Sequence, residues 1–203
     1  MSRVRTKAER HAVTRAALMR EARRAFSTTG YADAATEDIV QRAAVTRGAL
    51  YYHFRDKRAL FEAVVEDVAR EMADKIDAAA IPAKSAFDGL VRGTHAFLDA
   101  CLDPAARRIY LVDAPSVLGW HRWREIDGRH GMRTLRVGVD AVLAERPDRA
   151  LSPGPLTYLL SGALNEAVMW LHEAKDETTA RREIDRMLLL LFERLFGGRR
   201  KAR

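Results

Sequence analysis

The chain has 203 residues, 48% hydrophobic and 31% charged, which is enough apolar material for a substantial core and too much for a disordered chain. No apolar run approaches a membrane span, the longest being Met187 to Phe192 inside a charged helix, and the basic N-terminal sequence lacks the apolar core of a signal peptide. The net charge of +7 is localised: residues 1–60 hold 13 Lys+Arg against 6 Asp+Glu, while residues 61–203 hold 22 of each, so a polyanion partner is expected at one end of the molecule.

Cys101 is the single cysteine, so no intramolecular disulfide forms, and the residue reads as a small buried hydrophobe. Almost every segment has helical periodicity, with apolar residues recurring at three and four and few hairpin dipeptides. Leu18, Ala22, Ala25 and Phe26 form the first stripe, closed by Gly30 as a C-terminal cap. Thr36 is placed to cap a short second helix with Glu37 and Asp38 in its first turn, where acids favour the helix dipole. Thr46 is placed to cap a short third helix whose inward anchors are Leu50 and Phe54, four apart. A longer helix follows over roughly residues 57–80, ended by Pro82.

Further helices are expected near 84–101, 104–112 and 120–145, with Gly128, Gly131 and Gly138 weakening the last. Near the C-terminus, Pro153 or Pro155 suits the first turn of a helix carrying Leu156, Leu159, Leu160, Ala163, Ala167, Trp170 and Leu171. After a short polar link around Asp176, Ile184, Met187, Leu188, Leu191 and Leu195 form a second apolar face, stopped by Gly197-Gly198. Such a helical hairpin either packs on its own domain or pairs with a copy in a four-helix bundle.

The two short helices and their four-residue connection, Ala43 to Thr46, have helix-turn-helix spacing, which puts the second helix in the DNA major groove. The stretch from about Leu18 to Leu60 resembles the TetR-type transcriptional repressors. It carries Phe26-Ser27-Thr28-Thr29-Gly30-Tyr31, then Thr36-Glu37-Asp38-Ile39, then Ala43-Ala44-Val45-Thr46-Arg47-Gly48-Ala49-Leu50-Tyr51-Tyr52-His53-Phe54, and Lys57 opening the next helix. One departure is Ala44, where the family's turn often has glycine; if that position needs a positive φ, alanine costs on the order of 1 kcal/mol. Residues 111–123 (LVDAPSVLGWHRW) also look like a segment of some family members.

The resemblance implies an all-α protein with an N-terminal three-helix DNA-binding head and a C-terminal helical ligand-binding and dimerisation domain. The expected division is a basic arm over 1–10, the head over 11–56, the body over 57–198 and a basic tail over 199–203. Carried over by position, Thr36 and Thr46 offer hydroxyls to phosphate. Arg47 reads a base with its planar fork, Gly48 allows close approach, and the Ala49 methyl meets a thymine methyl. Tyr51 and Tyr52 brace the helix against phosphates, and Lys57 adds a point charge. His53 either assists at the DNA backbone or packs on the protein. Arg3, Arg5 and Lys7 form an arm that enters the minor groove or stays solvated.

The family's effector site is expected among Phe97, Tyr110, Asp113, Trp120, His121, Trp123, Arg124, Asn165, Met169 and Trp170, with core or dimer packing as the rival role of each aromatic. The dimer face is expected to use Leu156, Leu160, Ala163, Ala167, Ile184, Leu188, Leu191 and Leu195. The implied partners are a palindromic double-stranded operator, a second copy of the chain and an unidentified small molecule, in the bacterial cytoplasm at the nucleoid, with no membrane. An architectural or cell-division-linked DNA-binding protein without an inducer is the alternative. The sequence contains no HExxH, GxxxxGK[ST], GxSxG or GxGxxG, and its six histidines lack zinc-ligand spacing, so no catalytic residue, cofactor or metal is assigned.

Overall fold

The structure, a computed structural model, describes residues 6–148 and 150–197. Arg3, Arg5, Gly198 and the tail over 199–203 lie outside the described residues. Among the described residues the regular structure is all helical: α1 (Lys7–Asp33), α2 (Thr36–Arg42), α3 (Arg47–His53), α4 (Lys57–Ala80), α5 (Ala86–Leu102), α6 (Pro104–Arg107), a π-helical turn (Arg108–Asp113), α7 (Ala114–Leu118), α8 (Trp120–Arg129), α9 (Gly131–Glu145), α10 (Pro153–Glu173) and α11 (Glu177–Phe196). None of these helices is long and apolar enough to cross a membrane.

The chain divides into two compact units, Met1–Val68 with Pro104–Arg124, and Ala69–Asp103 with Glu125–Arg203. This partition differs from a boundary at residue 56. The first part of α4 belongs with the head, and a later segment, residues 104–124, packs on α1.

In the first unit, Leu18, Ala22, Phe26, Ile39, Leu50, Leu60 and Phe61 are fully buried. Phe61 meets Phe26 edge-on at 5.0 Å and Tyr31 at 5.0 Å, an arrangement that adds quadrupole attraction to apolar burial. The first helix begins earlier than an arm over 1–10 allows. Thr6 and Glu9 form a capping box, in which Glu9 N donates to Thr6 Oγ1 at 3.1 Å and Thr6 N donates to Glu9 Oε2 at 2.7 Å. Lys7 is therefore the first helical residue.

At its other end α1 is interrupted by Gly30, whose backbone (φ 83, ψ 173) lies where side chains are rarely tolerated. A Cβ there would stand 2.5 Å from Arg108 Nη2. The Arg108 guanidinium uses that space to donate to the Thr28 carbonyl at 2.9 Å, and Asp113 accepts from Tyr31 N at 3.0 Å. Carbonyl and amide groups orphaned by the interruption are thus satisfied by side chains from the π-helical turn. Lys57 Nζ adds a bond to Ala32 O at 3.1 Å and lies 4.6 Å from the Tyr31 ring centre. Arg58 closes α7, donating to Val117 O and Leu118 O.

In the second unit α9 packs on α5 and α10, and α10 also meets α11. Leu90, Val139, Val142, Leu156, Leu160, Phe192 and Phe196 form its buried cluster. The break foreseen around the glycines falls at His130 (φ −122, ψ −96), between α8 and α9. Gly138 stays inside α9, where a Cβ would come within 3.1 Å of Leu90 Cδ1, so the glycine permits close helix approach. Pro153 occupies the first turn of α10, and Asp176 caps α11 by accepting from Thr179 N at 3.1 Å. Cys101 is buried.

Gly30→Ala should destabilise the protein by at least about 2 kcal/mol, because it combines backbone strain with expulsion of the Arg108 guanidinium. Urea denaturation of the two proteins measures this. A change within error would mean that the Gly30 conformation is not held by its surroundings.

Candidate nucleic-acid interface

The interface is built on α3, one of whose faces is fixed by burial. Leu50 is fully buried and Phe54 nearly so, which turns the opposite face outward. Thr46 caps the helix as expected, its Oγ1 accepting from Ala49 N at 3.1 Å. At α2 the expectation shifts by one residue. Ala35 holds the N-cap position without a side-chain bond, and Thr36, in the first turn, donates its hydroxyl to Glu37 Oε2 at 3.1 Å. The Thr36 hydroxyl is thus occupied by the acid that follows it in sequence.

The turn between the helices has Ala44 at φ 52, the left-handed region that favours glycine. Its strain is held by Ala44 N donating to Gln41 O at 3.1 Å and Val45 N to Val40 O at 3.1 Å.

Outward on α3 stand Arg47, Gly48, Tyr51 and Tyr52. Tyr52 is 71% exposed, Tyr51 is 42% exposed, and Arg47 is exposed as well. Arg47 extends over the Tyr51 ring at 5.6 Å and pairs with Glu37 at 3.3 Å. The Arg47 guanidinium, a cation at any working pH as every arginine is, is held further in that form by the Tyr51 hydroxyl and then the Glu37 carboxylate, which raise its pKa. An ion pair this exposed contributes little and is readily exchanged for a stronger anion. Gly48 has no structural need for its missing side chain, since a Cβ would meet only Thr46 Oγ1 at 3.8 Å. A helix-interior glycine with open space above it weakens the helix and leaves room for something from outside.

His53 faces the protein. Its ring lies 4.1 Å from that of His11 on α1 and 5.5 Å from that of Tyr52, and its Nδ1 is buried without a hydrogen-bond partner. Burial first, then the neighbouring His11 and Arg15 charges, push its pKa below the ordinary imidazole value. Ala49 is half-buried beside the outward face. Lys57 stands at the start of α4, engaged with Ala32 O and the Tyr31 ring.

The residues assigned from sequence to an effector site separate. Tyr110, Asp113, Trp120, His121, Trp123 and Arg124 all belong to the first unit. There Trp123 is buried against Tyr110 (6.0 Å) and Trp120 (4.9 Å), and Arg124 lies 5.1 Å from each indole. Asp113 is the acceptor at Tyr31 N. The second unit contains a cavity of about 250 Å³, and from the sequence-assigned set Phe97 and Asn165 line it. Met169 and Trp170 lie on α10 outside its wall. Sequence reasoning missed Thr94, Asp127, Thr134 and Ser161, buried polar residues of that wall.

Of the residues assigned to a dimer face, Leu156, Leu160, Ala167 and Leu188 are buried within the single chain. Ile184 and Leu195 are half-buried, while Ala163 and Leu191 are exposed. The large apolar residues left exposed on the hairpin are Tyr158, Leu159, Trp170, Met187, Leu189, Leu190 and Leu191.

A capped helix, anchored by Leu50 and Phe54, that presents an arginine, a glycine and two tyrosines beside a tight turn defines a helix-turn-helix DNA-binding protein. Comparison with known proteins gives the family. Residues 8–64 match the family model for bacterial regulatory proteins of the tetR family, and residues 87–195 match the tetracyclin repressor-like C-terminal domain. A TetR-family transcriptional regulator from Pectobacterium atrosepticum is similar over 98% of this chain and 100% of its own, at 33% identity and a TM-score of 0.76. The TetC protein of transposon Tn10 from Escherichia coli is 24% identical over 71% of this chain and 73% of its own length. The regulator TtgR of Pseudomonas putida is 37% identical over 73 residues, 32% of this chain and about a third (35%) of TtgR itself. The chain belongs to the TetR family of transcriptional regulators.

Ala44→Gly should stabilise the protein by about 0.5–1 kcal/mol by relieving the positive φ; equal stability in chemical denaturation would show that the turn carries no strain.

His53 gives a pH signature. Its folded pKa lies below the unfolded value of 6.5, so its neutral form is the one the fold accommodates. Stability is full above that value and falls as pH drops through it towards the folded pKa. Between about pH 7.5 and 5.5, His53→Phe should lose less unfolding free energy than the parent, and parallel pH profiles would exclude the packing role.

Proposed function

We propose that this protein is a repressor that binds a palindromic operator as a homodimer and releases it when a small molecule occupies the second unit. The observation that carries the DNA-binding reading is the outward face of α3, where Arg47, Tyr51 and Tyr52 flank a glycine for which the fold has no use. Arg47 leaves Glu37 for a guanine edge, Tyr51 and Tyr52 donate to phosphates, and Thr46 and Lys57 add backbone contacts. Two copies related by a two-fold axis read half-sites about 34 Å apart. The chromosome as partner places the protein in the cytoplasm at the nucleoid.

The exposed apolar stripe of α10 and α11 supports the dimer. Leu159, Ala163 and Trp170 on one helix, with Met187, Leu190 and Leu191 on the other, leave a surface that suits a second hairpin of the same kind. The residues buried in the single chain, Leu156, Leu160, Ala167 and Leu188, support that surface from behind.

The cavity favours an inducible regulator over an architectural protein, whose body has no need of internal space. Chain connectivity offers a route for release. The segment 104–124 joins α5, which carries Thr94 and Phe97 of the cavity wall, to the end of α8 that carries Asp127. The same segment supplies Arg108 and Asp113, which hold the end of α1. A ligand acts here only through its differential affinity for the two states of the dimer.

Selection of bound DNA from a random pool should return a palindrome. Arg47→Ala should lose about ten- to a hundredfold of base discrimination at one position per half-site. Lys57→Ala should weaken all sequences alike and flatten the salt dependence. An unchanged sequence preference in Arg47→Ala would overturn its assignment as base reader.

A further inference from the structure

We propose that operator binding is coupled to proton uptake on His11: the N-terminal part of α1 forms a second phosphate-binding edge beside α3, and His11 takes a proton from solvent when a DNA phosphate reaches it. This rests on the reading of α3 as the DNA-contacting helix and adds a dependence on pH that the contacts of α3 do not require.

Lys7, His11 and Arg15 stand at i, i+4 and i+8 on α1 and are all exposed, so they form one stripe along the helix. Both α1 and α3 belong to the first unit, and the contacts of two of these residues fix where the stripe lies. The His11 ring meets the Tyr52 ring edge-on at 5.7 Å and the His53 ring at 4.1 Å, and the Arg15 guanidinium lies 5.3 Å from the centre of the Phe54 ring. The stripe therefore runs beside the C-terminal end of α3, next to Tyr52, the more exposed of its two tyrosines. The capping box of Thr6 and Glu9 starts α1 at Lys7, so these groups are held on a formed helix rather than carried on a loose arm.

The charge around the stripe is one-sided. Among the described residues no carboxylate pairs with Lys7, His11 or Arg15, whereas Arg20, Arg23 and Arg47 of the same unit each have one. The acids closest in sequence are engaged: Glu9 accepts from Thr6 N, and Asp56 accepts from Ala59 N at 2.7 Å and from Arg55. The groups facing His11 are thus Lys7 and Arg15 along α1, and Tyr52 and His53 from α3. A proton on His11 adds a positive charge between two cations, which is unfavourable in the free protein and favourable beside phosphate. His53 is the poorer site for that proton. Its Nδ1 is buried without a partner, and burial, then the His11 and Arg15 charges, hold its pKa down. His11 is exposed, and it is the imidazole that a phosphate beside Tyr52 can reach.

The experiment uses the full-length protein and an operator duplex selected from the random pool. Fluorescence anisotropy gives affinity from about pH 8.5 to 6.5 at constant ionic strength, a range in which His53 stays largely neutral. Calorimetric titration near neutral pH in PIPES and in Tris, which differ in ionisation enthalpy, counts the protons exchanged. Affinity should rise by about three- to tenfold per histidine as the pH falls, with net proton uptake by the complex. His11→Gln should match the parent at the alkaline end and lose most of the rise and most of the uptake. At the acid end it should also lower the salt slope by about one per protomer. His11→Lys should bind tightly across the range with the pH dependence removed.

A flat parent profile without proton uptake, alongside an Arg47→Ala variant that does lose base discrimination, would overturn the coupling and leave the reading of α3 in place. A slope and an uptake unchanged in both His11 variants would put the proton on another group and overturn the assignment. Selection of no duplex would overturn the reading of α3, and this proposal with it.

Discussion

The DNA-binding unit depends on how the first helix ends. Gly30 takes a conformation closed to other residues, and the space left by its missing side chain is filled by a guanidinium. The π-helical turn makes this possible, because its wider i→i+5 winding brings Asp113 round above Arg108. One residue donates to a carbonyl of α1 and the other accepts from an amide of α1, so a single short segment satisfies both kinds of orphaned backbone group. A helix anchored in that way holds Leu18, Ala22 and Phe26 in register against the core that seats α2 and α3. The precision of the recognition face therefore originates partly in two residues that lie some eighty positions beyond the helix end they hold.

The helix-turn-helix itself shows local rules giving way to an external requirement. Ala44 accepts a positive φ, Gly48 weakens a seven-residue helix, and Tyr52 is left standing in solvent. None of these choices favours the isolated fold. Each becomes reasonable when a phosphate-lined groove approaches the same face, since backbone can come close at Gly48 and the tyrosine hydroxyls find acceptors. His53 departs from that group because its ring is needed between α3 and α1, beside His11.

Much of this was legible in the sequence, and the reasons for the remainder are physical. The helix-turn-helix, the α4 span and the α10–α11 hairpin are read from signals that act within a few residues: caps, prolines and apolar spacing. The capping box was legible too, in the pattern Thr6-Lys7-Ala8-Glu9, but was masked by the basic composition around it. The π-helical turn has no comparable local signature, and its role is visible only with α1 beside it. On the hairpin, periodicity shows which positions are apolar without showing which apolar stripe faces home. Leu156 and Leu160 proved to be core, while Leu159, next to Leu160 in sequence, and Trp170, further along the same helix, remained outside.

The cavity teaches a different lesson. Large aromatics were the natural candidates for a ligand site, yet Tyr110 and Trp123 are buried in the first unit, because large side chains fill the space nearest to them. Empty volume survives where residues are too small to reach across, and the wall is correspondingly rich in Gly89, Gly93, Gly131, Gly138, Ala80 and Ala83. The charge distribution completes the contrast between the two ends of the chain. Within the second unit, Arg133 and Arg136 are each paired with an aspartate, Asp77 and Asp140, and Arg181 with two, Asp99 and Asp185. On the outer face of α3, Arg47 has one exposed partner that a polyanion readily displaces. Arg47 thus holds its charge where exchanging one counter-charge for another is easiest, as reversible binding to a polyanion requires.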